Sequence, residues 1–172
     1  TYRYGRAQDA PNLNTRQVNK YSIVTRIVYG SNSFLMTGEA QQETIKKIAA
    51  RGYDLSAQVL KQPHHGYQDV RLQDKPKGRY VYDSDHKYLI DRTGASIAII
   101  SNGYKTVNQT PESNVLRDLS GMDVYQTSDK GTIVVSSDGK NLSVSAQKGG
   151  NVPSHAGYVA VSYTHLRAHE TL

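Results

Sequence analysis

Ser33 to Gly66 reads SFLMTGEAQQETIKKIAARGYDLSAQVLKQPHHG, and this stretch decides the fold class. Ser33–Met36 is a short apolar strand that stops at Thr37-Gly38-Glu39. The spacing of Ile45, Ile48 and Ala49 predicts a helix from about Ala40 to Arg51 with one apolar stripe. Gly52 ends it, because glycine enters the left-handed conformation without a Cβ penalty. A second strand, Gln58 to Lys61, empties into Pro63-His64-His65-Gly66. A strand, a crossover helix and a strand make two neighbouring strands that run the same way. An acid and a histidine pair are therefore expected together at the carboxyl end of the sheet, where ligand sites form. Carboxylate and imidazole are also the ligands that zinc and manganese accept.

Working outward, Ser22 to Tyr29 alternates, with Ile23, Thr25, Ile27 and Tyr29 on one face and Val24, Arg26 and Val28 on the other. Gly30-Ser31-Asn32 supplies turn chemistry, so this strand and Ser33–Met36 are expected to form a hairpin. Downstream, Tyr67 to Asp83 is polar and carries no clear period. Ser84 to Asp91 reads as a short helix with Ser84 as its cap and Tyr88 and Leu89 facing inward. Ser96 to Ile100 is a β-branched run of buried-strand type. Thr110-Pro111 has the form of a cap followed by proline at the first helical position. Val115, Leu116 and Leu119 would be that helix's inner stripe and Gly121 its end. Asp123–Gln126, Thr132–Ser136 and Asn141–Ser145 read as strands, the last two joined by the hairpin signal Asp138-Gly139. The pattern is mixed α/β, with helices packed on a sheet.

The chain has 172 residues, enough for one domain or part of one. A net charge of +6 suits a polyanionic partner, either nucleic acid or an anionic surface polymer, although no basic run exceeds the pair Lys46-Lys47. The absence of cysteine excludes disulfides and thiolate metal sites. No segment is long and apolar enough to read as a membrane span, so no membrane contact is expected from this segment. The 13 tyrosines are spread along the chain rather than clustered with basic residues, as a single-strand nucleic-acid platform would need. Residues 1–20 read as a linker or irregular lead-in, 21–147 as the folded part and 148–172 as a tail.

The pieces VNKYSIVTRIVYG, SNSFLMTGEA, VLKQPHHG, SIAIISNGY, TPESNVLRDL and VYQTSDKGTIVVSSDG occur in that order between Val18 and Gly139. The series resembles the second half of a metallo-β-lactamase-fold hydrolase, closest to the ComEC-type extracytoplasmic domain of competence DNA uptake and its secreted relatives. The resemblance implies an αββα sandwich, of which this chain is the C-terminal half, and an extracytoplasmic location. It implies that Glu39 stands where the family's Thr-Gly-Asp places a metal-bridging aspartate. His64 and His65 stand at the family's His-His-Gly, as catalytic-site groups. Neighbours in an extended chain point opposite ways, so one imidazole would face the site and the other would support the loop. Lys61 would bind substrate or back up the ligands. Asn108, in GYKTVNQTPES, falls where the family has its last metal-binding histidine, and asparagine is a poor zinc ligand. Tyr67 to Asp83 looks like an insertion relative to the family.

The family's His-x-His-x-Asp-His motif occurs nowhere in the chain. Two readings follow. In the first, the chain is part of a metal-dependent phosphodiester hydrolase that takes two zinc or manganese ions only when the missing N-terminal half of the domain is its partner. In the second, it is a degenerate, non-catalytic binding domain of the same fold. Finally, SYTHLRAHETL, from Ser162 onward, looks like a translated sequencing-adapter scar. His165 and His169, although four apart, are set aside on that ground.

Overall fold

The computed structural model describes residues 18–67, 71–74, 79–82, 85–103 and 110–148. The expected hairpin forms from β1 (Thr25–Tyr29) and β2 (Asn32–Met36), paired antiparallel from Thr25↔Met36 to Tyr29↔Asn32. Helix α1 (Gln42–Ala50) returns the chain to β3 (Val59–Lys61), which runs parallel to β2 with Phe34 opposite Val59. Glu43 sits in the first turn of α1, where the helix dipole favours an acid. It pairs with Lys20 at 2.7 Å and with Lys47 one turn on at 2.6 Å. The hydrogen bond from Lys20, then that from Lys47, hold its carboxyl at about 2, well below the usual carboxylate range.

Beyond β3 lie a separate antiparallel pair, β4 (Arg71–Asp74) and β5 (Arg79–Tyr82), then α2 (Asp85–Thr93) and β6 (Ile97–Ile100). They are followed by α3 (Ser113–Asp118), β7 (Asp123–Gln126), a single turn α4 (Thr127–Lys130), and the hairpin β8 (Ile133–Ser137) and β9 (Leu142–Ala146). The main sheet has the order β1-β2-β3-β6-β7, parallel except at β1. The chain is thus mixed α/β.

Alternation along the strands sends neighbouring side chains to opposite faces and builds two cores. Leu35, Leu60, Ala98 and Ile100 face the helices, where Ile45, Leu89, Val115 and Leu119 close over them. Phe34, Val59, Ile97 and Tyr125 face the other way and are covered by Ile133, Val135, Leu142 and Val144 of the β8–β9 hairpin. The result is three layers: helices, sheet and hairpin.

The hairpin is fastened at its turn. Ser31 N–H donates to the Gly139 carbonyl at 2.7 Å. The buried Asn32 amide donates to Ser137 Oγ at 2.6 Å and to the Asn141 carbonyl at 2.8 Å. A Cβ at Gly30, whose φ is +59°, would stand 1.9 Å from the Gly139 oxygen, so only glycine allows this contact.

The strand expected within Ser22–Tyr29 forms over Thr25–Tyr29, where all five residues are exposed, Val28 to 56%, and Ile23 just before it is 82% open. Among the described residues β1 pairs with β2 alone and forms an edge of the sheet, meeting the β8–β9 hairpin where the Tyr29 ring lies beside Gly139. The polar stretch after Tyr67 contains the β4–β5 pair rather than only loop. Helix α3 starts two residues later than Pro111, with Glu112 as its cap; the Thr110–Pro111 peptide is cis and belongs to the preceding loop. Ser84 lies outside the described residues.

Candidate functional site

Strands β2, β3 and β6 end level, with Met36, Lys61 and Ile99 side by side in register. The chain segments leaving them are bound to one another before any site chemistry begins. Thr37 Oγ1 donates to the Lys61 carbonyl within the buried strand ends. Gln62 N–H donates to the Ile99 carbonyl at 2.8 Å, and His64 N–H to the Gly38 carbonyl at 3.0 Å. The Gly66 carbonyl accepts from Glu112 N–H at 3.0 Å. Gly66 itself has φ +77°, and a Cβ there would lie 2.5 Å from Pro111 Cβ.

Pro63–Gly66 forms one tight turn in which both histidines are left-handed, His64 at φ 48°, ψ 42° and His65 at φ 56°, ψ 18°. Two successive non-glycine residues in this region cost about 1–2 kcal/mol each, and such strain persists only where the surroundings impose it. Its consequence corrects the expectation that one imidazole faces away. The turn is not extended, and both rings reach the Glu39 carboxylate, one on each oxygen. His65 Nε2 lies 3.3 Å from Oε1 and His64 Nε2 lies 3.6 Å from Oε2.

The remaining partners fix which ring nitrogens carry protons. His65 Nδ1 is 2.5 Å from the Ser101 carbonyl, which can only accept, so the proton is on Nδ1. The Asn19 amide nitrogen lies 3.4 Å from His64 Nε2 and can only donate, so that nitrogen accepts. Tyr67 meets the His64 ring edge-on, with centroids 5.2 Å apart. In the neutral His65 ring, Nε2 therefore presents its lone pair toward Glu39 Oε1, whereas the single Nε2 lone pair of His64 is taken by the Asn19 amide. Two lone pairs facing each other repel unless a positive charge lies between them, either a proton on the imidazole or a metal cation.

Metal–nitrogen and metal–oxygen bonds near 2.1 Å put neighbouring tetrahedral ligands about 3.4 Å apart, which matches both separations. The ligand count falls short: among the described residues no group of three or more His, Asp or Glu is placed to hold one ion. Each oxygen–nitrogen pair would give a separate ion two ligands, with Glu39 between the two ions. Zinc takes at least three.

Lys61 is buried at the end of β3, and its Nζ donates to the Gln62 carbonyl at 2.9 Å. Burial pushes its ammonium down to about 8, against the opposing pull of the Glu39 charge. It touches neither histidine in a hydrogen bond. Asn108 lies outside the described residues.

The loop that begins after β6 is instead organised by Asn102. Its backbone N–H donates to Thr127 Oγ1 at 2.8 Å, and the Thr127 hydroxyl donates to the Asn102 carbonyl at 2.8 Å. Its side-chain oxygen accepts from Ser128 N–H at 3.2 Å, and its amide donates to Gln126 Oε1 at 3.2 Å. Sequence reasoning missed Asn19, Ser101 and Asn102. The Asn-Gly step after a buried strand was the available signal for Asn102. Asn19 had been placed in the irregular lead-in, yet it is buried. No family model matches this chain, and no curated protein or solved structure matches it either.

Proposed function

We propose that the Glu39–His64–His65 cluster is part of a metal-dependent hydrolase site acting on phosphodiesters, in DNA or in a phosphoryl-decorated surface polymer. The observation that carries this reading is the convergence of both imidazoles on one carboxylate: His65 Nε2 lies 3.3 Å from one Glu39 oxygen and His64 Nε2 lies 3.6 Å from the other. Positive charge beside each of those oxygens, from a bound ion or from a proton on the ring, would satisfy that arrangement. The resemblance to the C-terminal half of an αββα metallo-β-lactamase domain supports the same assignment, since it sets a bridging carboxylate at Glu39.

Glu39, His64 and His65 would hold zinc or manganese, and the remaining ligands would come from the other half of the domain. A bound ion of this kind supplies a hydroxide near neutral pH and stabilises charge on a phosphoryl oxygen. This chain's own residues set the geometry. Ser101 holds the His65 proton on Nδ1 and leaves Nε2 for an ion, whereas His64 Nε2 would have to give up the Asn19 amide before it could bind one. Glu39 is one methylene longer than aspartate, so its oxygens stand about one bond length farther from the backbone.

The test pairs this chain with an N-terminal half-domain that carries a His-x-His-x-Asp-His motif and measures metal content and hydrolysis of an aryl phosphodiester. The expected result is stoichiometric metal with hydrolysis, improved in Glu39→Asp and lost in Glu39→Ala. A joined protein that binds no metal would rule the hydrolase out. The second reading, a non-catalytic binding domain of the same fold, has its own observation: with both imidazoles protonated, Glu39 is neutralised by two ion pairs and needs no metal.

A further inference from the structure

We propose that the apolar cleft between the main sheet and strand β8 binds a carboxylate-headed amphiphile, with Lys61 receiving the head group. Phe34, Met36, Val59 and Ile99 form the floor of this cleft, and Ile133 and Val135 form its wall. Lys61 is the one charged side chain in the lining. Its residue is only 7% exposed, and its Nζ makes a single hydrogen bond, to the carbonyl of Gln62. Among the described residues no carboxylate lies within ion-pair distance of that nitrogen.

A buried ammonium without an ionic partner is costly, and an ammonium has three N–H donors. Two remain for a ligand here, which matches the two oxygens of a carboxylate. A dianionic phosphate would bring in a second charge that nothing in the apolar lining offsets. The tail is defined by the floor. Ile27 on β1 closes the far side, two strands from Lys61 on β3. Two strand spacings are roughly 10 Å, the reach of an extended chain of roughly eight carbons. Octanoate is therefore the probe of choice. The site uses neither imidazole, and although Lys61 feels the Glu39 charge, the octanoate test needs no metal and reads separately from the hydrolase test.

The experiment titrates the 172-residue chain with octanoate and with 1-octanol, a neutral control of equal length, by calorimetry. In parallel, acetylation of each lysine by acetic anhydride is followed by peptide mass spectrometry. A charge-assisted pair predicts that octanoate binds about tenfold or more tightly than octanol. Saturating octanoate should slow acetylation of Lys61 while leaving the exposed Lys47 and Lys87 unchanged. Lys61→Met should bind the two probes equally. Equal affinities in the native chain, no saturable octanoate binding, or unchanged acetylation of Lys61 would each overturn the proposal. The acetylation arm uses no variant and so decides the matter even if Lys61→Met does not fold.

Discussion

Gly66 sits where no Cβ fits, His64 holds a left-handed backbone that a histidine avoids, and Lys61 is desolvated; each can be tested by one substitution. Gly66→Ala must place a methyl 2.5 Å from Pro111 Cβ at a positive φ. It should cost about 2 kcal/mol or more, read from the midpoint of urea unfolding. At His64 the left-handed backbone makes glycine the better small residue. His64→Gly should be more stable than His64→Ala by about 1 kcal/mol, and equal stabilities would show that the turn relaxes. Lys61 titrates at about 8 when folded against an ordinary 10.5. The folded chain therefore releases this proton first, and the unfolded chain holds more protons between those two values. Stability from this group rises with pH across that window, and below pH 8 the full penalty of about 3 kcal/mol is present. The stability advantage of Lys61→Met over the native chain should accordingly shrink as pH rises from 8 to 10.5. An advantage that stays constant would show that the lysine is not desolvated. The sequence marked Glu39, His64, His65 and Lys61 because they follow strand ends. It could not show that both histidines face one carboxylate, because that depends on two positive φ values in residues that usually avoid them.

Thr37 ties two elements together at their ends, through its hydroxyl to the Lys61 carbonyl. Thr37→Val keeps the shape and removes the donor, so it should cost about 1–2 kcal/mol in chemical unfolding. A neutral outcome would mean that parallel pairing of β2 and β3 does not need this clasp. Elements with strong periods and real burial were legible: β2, α1, β3, β6 and the β8–β9 hairpin lie within a residue or two of their expected bounds. The start of α3 was not legible, because Thr110-Pro111 satisfies the local cap pattern. Tertiary contacts win there, since Pro111 packs on Gly66 and Glu112 N–H is taken by the Gly66 carbonyl. The β4–β5 pair escaped notice because its residues stand among polar and charged neighbours that mask the period. The single turn α4 has no apolar stripe to announce it.

Over the whole molecule, one side of the sheet ends in an open, apolar edge. Ile23, Ile27, Val28 and Tyr29 are exposed along or beside β1, which among the described residues pairs only with β2. Free edges of this kind invite pairing with another chain, and a charge on them prevents it. Val28→Lys should reduce self-association in sedimentation at raised protein concentration while changing stability by no more than about 0.5 kcal/mol. Unchanged association would place the sticky surface elsewhere. The mixed α/β class was readable because a strand, a helix and a strand can close only one way. The hairpin layer was not, since nothing in Ile133–Ala146 says which face of the sheet it covers. Metal binding at the Glu39 cluster remains the central claim, and histidine NMR during a zinc titration tests it most directly. The ring nitrogens of His64 and His65 should shift together, with weak saturation because the described ligands do not fill either shell, and Glu39→Ala should abolish both shifts. Zinc that leaves His64 and His65 unmoved, or that moves them equally well without Glu39, would contradict the account.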